Sequence, residues 1–278
     1  MSTVTISVQD INKLRQMTGA GMMDCRKALI ETNGDFEAAI DWLRKQGQKV
    51  AARRSDREAK EGVVIAKTTA GNKTGMVICV SCETDFVSKN ADFVAFAQSI
   101  ADAAIINNVK SLEELLGVTI NGSKVSDLVN DKLASIGEKI GVTKFERADA
   151  DYVASYIHGA YRIGVLVGLN KVAAEAGKDV AMQIAALNPV AVDASSVPAD
   201  VIAREKDIVI ELMKQDPKMA GKQDEMLSKI AEGKMNAFFK EQTLLAQAFV
   251  KDGNKTVADY LKESGDVKVT TFKRVALG

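Results

Sequence analysis

The chain has 278 residues, of which 46% are hydrophobic and 27% charged, a balance that excludes a disordered chain and allows two or three globular domains. Lys plus Arg and Asp plus Glu each number 37 and only 5% of residues are aromatic, which argues against a nucleic-acid groove of basic and stacking side chains and favours a protein partner. No apolar run approaches the roughly 18 residues of a membrane span, and Met1-Ser-Thr-Val-Thr-Ile-Ser-Val lacks the basic start and apolar stretch of a signal peptide, so a cytoplasmic location is expected.

Residues 7 to 47 carry a three-helix pattern. Ser7 is placed to cap a first helix with Asp10 three residues on, apolar positions follow at Ile11, Leu14 and Met17, and the helix stops at Thr18-Gly-Ala-Gly21. A second helix carries Met22, Met23, Ala28, Leu29 and Ile30 and ends before Gly34. Asp35 caps a third, with Phe36, Ala39, Ile40 and Leu43 on one face, ending before Gly47. Met22 and Met23 stand beside a glycine turn, where one suits the core and the other a surface contact. These helices define a domain over residues 1–48. Residues 49–61 are charged, lose their apolar face over the second half and read as a linker.

Next comes a hairpin, residues 62–69 and 75–83, joined by Ala70-Gly-Asn-Lys-Thr74, with Met76, Ile78, Val80 and Cys82 on one strand face. Phe93, Phe96, Ala97, Ile100 and Ala104 then mark an amphipathic helix capped by Ser88 or Asn90. Thr84-Asp85-Phe86-Val87 occupies the corner between strand and helix. Two readings of Phe86 stand open there: a core residue beneath the corner, or a side chain that buries itself in another protein.

A similar order returns about 90 residues later, with a strand over Tyr161–Asn170 and Asp179, Met182, Ile184 and Ala185 on the following helix. Gly75-Met-Val-Ile-Cys-Val and Gly164-Val-Leu-Val-Gly-Leu read as corresponding strands of two related α+β subdomains, residues 62–140 and 141–278. The second has Lys171-Val-Ala-Ala-Glu-Ala where the first has Thr84-Asp-Phe-Val87, so the fold itself does not demand that tetrapeptide. Residues 199–240 predict two helices either side of Asp216-Pro217, an antiparallel coiled-coil hairpin inserted in the second subdomain. The chain closes with a helix capped by Thr256 and a strand over residues 267–275. The fold class is α+β.

Chemistry-bearing patterns are few. Cys79-Val-Ser-Cys82 has the spacing of half a zinc site, but Cys25 and His158 are the only other soft ligands, and cysteines three apart on a strand face opposite ways, so they read as buried thiols without a metal. His158 reads as a turn residue before a strand or as a partner contact. A second His is missing, and neither Gly-x-x-x-x-Gly-Lys-[Ser/Thr] nor a strand-borne Gly-x-Gly-x-x-Gly occurs, which leaves no acid/base pair, cofactor site or nucleotide site and no enzyme to argue for.

Three blocks stand apart: Leu14-Arg-Gln-Met-Thr-Gly-Ala-Gly-Met-Met-Asp-Cys-Arg-Lys-Ala-Leu29, Thr84-Asp-Phe-Val87 and His158-Gly-Ala-Tyr-Arg-Ile-Gly-Val-Leu-Val167. In order and spacing they closely resemble the bacterial elongation factor Ts family, over nearly the whole chain. The resemblance implies a ubiquitin-associated-like N-terminal domain, a core of two related subdomains and a coiled-coil arm. It also implies a guanine-nucleotide exchange factor in translation elongation, acting without covalent chemistry on elongation factor Tu. On this likeness Thr84, Asp85, Phe86 and Val87 act on the partner's GTP-binding domain and dislocate its Mg²⁺. Arg15, Met22 and Met23 dock on the same domain, Phe249 and Val250 make a second contact nearby, and His158 and Gly159 face the partner's more distant domains. Some members pair through their cores, so a homodimer is a further implied state. The alternative reading is a ubiquitin-associated-type adaptor without exchange activity.

Overall fold

The computed structural model describes residues 6–215 and 224–278. The N-terminal module is three helices: α1 (Val8–Thr18), α2 (Met22–Glu31) and α3 (Phe36–Arg53). Ser7 Oγ accepts from Asp10 N–H while the Asp10 carboxylate accepts from Ser7 N–H, the expected capping box, and Gly19 ends α1 in the left-handed conformation at φ 70°. The Asp35 side chain accepts from Ala38 N–H and so caps α3. Leu14, Cys25, Ala28, Leu29 and Ala39 bury against one another, with Trp42 and Leu43 at the edge.

α3 does not stop before Gly47. It runs on to Arg53, five residues into the segment expected to be a linker, because Val50 has an apolar surface to pack on and joins the main core. The rest of that segment is tied down as well: Arg54 and Arg57 pair with Glu83, and Lys139 Nζ donates to the carbonyls of Ser55 and Arg57. Two of the charges that suggested a solvated linker, Arg54 and Arg57, thus share a partner on the body.

The body opens with β1 (Glu61–Thr68) and β2 (Thr74–Cys82), the expected hairpin, with Asn72 in the left-handed region of its turn at φ 51°. There follow a one-turn helix α4 (Asp85–Ser88), α5 (Ala91–Ile106), which Asn90 caps, and α6 (Leu112–Gly117). A two-residue-strand hairpin, β3 (Thr119–Ile120) with β4 (Ser123–Lys124), leads into α7 (Val125–Ile136). Then come β5 (Gly141–Asp149), β6 (Tyr152–His158), β7 (Ile163–Leu169) and α8 (Ala174–Leu187). The remaining elements are α9 (Ala199–Gln215), α10 (Asp224–Gln242), β8 (Ala248–Phe249), β9 (Asp252–Thr256), α11 (Val257–Glu263) and β10 (Val269–Ala276).

Two antiparallel three-stranded sheets form, ordered β1-β2-β5 and β10-β7-β6. The strands that the sequence matched to each other, β2 and β7, are the central strands of the two sheets, and each leads to a helix that packs on its own sheet, α5 and α8. The subdomain boundary at residue 140 needs correction. β5 lies just beyond it, yet it pairs with β2 from Thr74↔Asp149 to Ser81↔Gly141 and completes the first sheet. Its polar outer positions hide its strand character in the sequence.

The sheets stack face to face. Met76, Ile78, Val80 and Cys82 of β2 face α5, while Val77 and Cys79 face Val153 and Leu166 of the second sheet, so β2 is buried on both sides. The two cysteines, both free thiols, thus point to opposite faces. Gly75 and Gly164 make the stacking close: a Cβ on Gly75 would stand 2.8 Å from Leu166 and Val153, and one on Gly164 would stand 2.7 Å from Val64 and Val77. In the arm, α9 and α10 share a small core in which Met213 and Ala231 are buried beside Val209 and Ile230. The turn expected at Asp216-Pro217 lies outside the described residues.

Gly164→Val should lower stability by roughly 1–3 kcal/mol, the usual cost of overpacking a close-packed interior. Urea denaturation checks this, and an unchanged midpoint would mean that the sheets are not in close contact at Gly164.

Candidate functional site

The corner after β2 is shaped by carboxylates. Glu138, on the short segment between α7 and β5, accepts from the backbone N–H groups of Glu83 and Thr84 at 3.1 Å each and from Thr84 Oγ at 2.7 Å. Glu83 accepts from Lys139 N–H at 2.6 Å and pairs with Arg54 at 2.7 Å and Arg57 at 3.0 Å. The Cys82 thiol donates to the carbonyl of Thr84. Thr84 makes no side-chain cap bond to α4, so this single helical turn, too short to hold itself, is held from outside.

On this support Phe86 stands in water. The residue is 85% exposed, whereas neighbouring Val87 packs against the main core. The reading of Phe86 as a core residue is thereby excluded: α4 turns its apolar residue Val87 inward and Phe86 out. Leaving a Phe uncovered forgoes roughly 1.5–3 kcal/mol of burial, which the fold would recover if it could. Asp85, beside it, pairs with Lys89 one turn along at 2.6 Å, and this hydrogen bond and charge hold its carboxyl below the usual range. The turn therefore presents a bare aromatic ring next to an ionised carboxylate.

Phe86 also borders a cleft of about 940 Å³ between the three-helix module and the body, whose apolar lining includes Met17, Trp42, Leu43, Phe93 and Phe96. Met22 and Met23 are both exposed, Met23 at 72%, and Arg15 is exposed on α1. Thus both methionines at the glycine turn lie on the surface, and neither serves the core.

The other expected contacts lie elsewhere on the fold. His158 is the last residue of β6, opposite Ile163, and not a turn residue, with Tyr156 Oη 3.0 Å from its Nδ1. The turn itself holds three successive left-handed residues, Gly159, Ala160 and Tyr161, at φ 63°, 52° and 69°. Such a conformation costs about 1–2 kcal/mol at each non-glycine position, and it persists because Tyr161 O accepts from Val64 N–H and its ring packs on the main core.

Phe249 requires correction as a contact. It is only 3% exposed and stacks on Tyr260 with ring centroids 4.2 Å apart, filling the core beneath α8 and α11. Val250 beside it is exposed, and its N–H donates to the buried Gln183 side chain. Among the described residues no group of three or more His, Cys, Asp or Glu could hold a metal ion, and no helix is long and apolar enough to cross a membrane.

Sequence reasoning did not single out Glu83, Glu138, Lys139, Arg54 and Arg57, which hold the turn. Glu83 adjoins the tetrapeptide, but nothing in a periodic pattern signals a partner 55 residues away.

A family model described as elongation factor TS matches residues 83–278, and one described as UBA/TS-N domain matches residues 8–43. Among curated proteins, the chain is 47% identical over 277 residues to an elongation factor Ts of Christiangramia forsetii, covering 98% of this chain and 99% of the relative. The elongation factor Ts of Flavobacterium psychrophilum is 45% identical with 99% of each chain covered, and that of Halorhodospira halophila is 41% identical with 99% and 93% covered.

Partial burial pushes the Glu83 carboxyl up, but the bond from Lys139 N–H and the guanidiniums of Arg54 and Arg57 outweigh it and bring it down to about 2. A carboxyl depressed in the folded state adds stability above its unfolded value, near 4.3, and that stability fades as pH falls through the folded value. Against Glu83→Gln, the native chain should therefore be more stable at pH 6, with the difference shrinking between about pH 4.5 and pH 2. Urea unfolding across that range checks it, and a pH-independent difference would contradict the charge clasp.

Proposed function

Because the chain belongs to the elongation factor Ts family, we propose that it is the guanine-nucleotide exchange factor for elongation factor Tu in translation elongation, with the turn Thr84–Val87 as its working part. The observation that carries this is Phe86, an uncovered aromatic on a turn fixed by five polar partners. Solvent gives such a ring no reason to be there, whereas an apolar pocket on a GTP-binding domain does.

The proposed sequence of events is physical, with no bond made or broken. Phe86 enters an apolar pocket between helices of the partner's nucleotide domain while Asp85 brings a negative charge alongside. The accompanying shift disturbs the Mg²⁺ that screens the phosphates of GDP, and GDP leaves. Arg15, Met22 and Met23 on the three-helix module, Val250 beyond β8, and His158 with Gly159 at the β6–β7 turn supply further contact, so that affinity does not rest on the turn alone. By reciprocity, the factor binds the nucleotide-free partner more tightly than the loaded one, and incoming nucleotide weakens its hold by the same factor. A ubiquitin-associated-type adaptor without exchange activity would give Phe86 no task.

Release of a fluorescent GDP from elongation factor Tu tests the reading: the chain should accelerate it, and no acceleration would sink the proposal. Phe86→Ala should slow the stimulated release roughly tenfold or more, as loss of about 1.5–3 kcal/mol of apolar burial implies. Its thermal midpoint should stay nearly unchanged, since exposed side chains contribute within about 0.5 kcal/mol. Asp85→Ala should slow release too, with the fold likewise intact. A sharp fall in the midpoint for Phe86→Ala would instead return Phe86 to a structural role.

A further inference from the structure

We propose that Glu83 is a positioning residue for Phe86, and that with Arg54 and Arg57 it forms a clasp through which the three-helix module sets the direction of the exchange turn. The inference rests on the exchange reading above and adds to it a route by which the module and the turn act as one.

The geometry is continuous from one to the other. α3 begins in the module's own core at Ala39 and ends on the body, where Val50 packs into the main core and Gly47 crosses α7 so closely that a Cβ would stand 2.9 Å from Ala134. Arg54 and Arg57 follow directly and meet the Glu83 carboxylate at 2.7 and 3.0 Å. Lys139 closes the loop. Its N–H donates to Glu83 and its ammonium to the carbonyls of Ser55 at 2.5 Å and Arg57 at 2.9 Å, so the segment after α3 is held at its side chains and its backbone by the same site.

Glu83 immediately precedes Thr84, and α4 has no cap bond of its own, so the direction of Phe86 is inherited from how residues 83 and 84 are held. Glu138 fixes their backbone relative to the body. Glu83 fixes the same residues relative to α3. A ring that must enter a pocket on another protein loses effect with small errors of direction, because rotational freedom at the turn is freedom that binding must freeze. Removing the clasp should therefore leave the contact surfaces intact and impair the step in which the ring is seated.

The test uses the full chain and the release of fluorescent GDP from elongation factor Tu, with the rate followed against factor concentration. Glu83→Ala should lower the maximal rate at least fivefold while the half-saturating concentration stays within twofold. The pair Arg54→Ala with Arg57→Ala should act in the same way, and combining it with Glu83→Ala should cause no further loss, because both remove one unit. Arg54→Lys with Arg57→Lys, which keeps the charges, should restore part of the rate. If Glu83→Ala proves too unstable to prepare, the arginine pair carries the same comparison. A lowered thermal midpoint with an unchanged maximal rate would overturn the inference and leave Glu83 as a stabiliser alone, as would losses that multiply in the combined variant. Were Phe86→Ala to slow release while the clasp variants did not, only the positioning role would fall. Were the unaltered chain to give no acceleration, the exchange reading would fall with it.

Discussion

The burial of β2 on both faces is the constraint from which the placement of the Thr84–Val87 turn follows. One face carries Met76, Ile78, Val80 and Cys82 against α5, and the other carries Val77 and Cys79 against the second sheet. A strand enclosed in this way cannot slip in register without driving two apolar rows into the wrong layers, so its last residue is placed as firmly as its first. The turn that begins two residues later inherits that placement. Glycines at 75 and 164 let the two sheets come close enough for the enclosure to be complete.

From that rigid end the chain makes a turn that is locally weak and externally strong. A single helical turn fixes several dihedrals for very few hydrogen bonds, and alone it would be a small minority conformation. Here two carboxylates supply what the turn lacks. Glu138 accepts from the backbone N–H groups of Glu83 and Thr84, which lead into the short helix, and Glu83 binds the guanidiniums of Arg54 and Arg57 just beyond the end of α3. The side chains of Glu83 and Arg54 are 15% and 24% exposed, so their bond is less screened by water and salt than a fully exposed pair. The pair of Asp85 with Lys89 differs in kind. It is solvent-facing and easily exchanged, which under the proposed function suits a carboxylate that meets another surface.

What could be read from the sequence divides along physical lines. The capping box at Ser7 and Asp10, the β1–β2 hairpin, the Asn90-capped α5, α8 and the close of the chain all carry local signals, either a period or a capping residue, and they formed as read. β5 escaped notice because Lys144, Glu146 and Arg147 break its apolar pattern, as suits an outer strand, and only pairing to β2 makes it a strand. The segment after Gly47 misled for a related reason: Arg54 and Arg57 answer Glu83, and the carbonyls of Ser55 and Arg57 answer Lys139, partners that no local window contains. Thr84–Val87 was legible as an anomaly, an aromatic that the repeated second half does without. Whether that aromatic was buried or bare was not, because the choice depends on which side of a four-residue helix faces the body. Phe249 shows the opposite error. An aromatic beside an exposed Val250 resembles a contact until Tyr260 is found stacked against it.

The energetics of Phe86 explain why rigidity and exposure occur together in one place. A flexible exposed aromatic could bury itself against its own protein, and the cleft lined by Trp42, Phe93 and Phe96 lies at hand to receive it. With α4 held from outside, Phe86 stays exposed, and under the function proposed above its roughly 1.5–3 kcal/mol of apolar burial is kept for a partner. Because the turn is already ordered, little of that amount is lost to immobilising it on contact. Were the ring instead to fold into the cleft, that energy would be spent within the chain, and a partner would have to displace it before gaining anything. For an exchange factor the distinction matters more than total affinity. Only binding energy that is larger with the nucleotide-free partner than with the loaded one can drive GDP out, and a side chain seated solely in the open state contributes wholly to that difference.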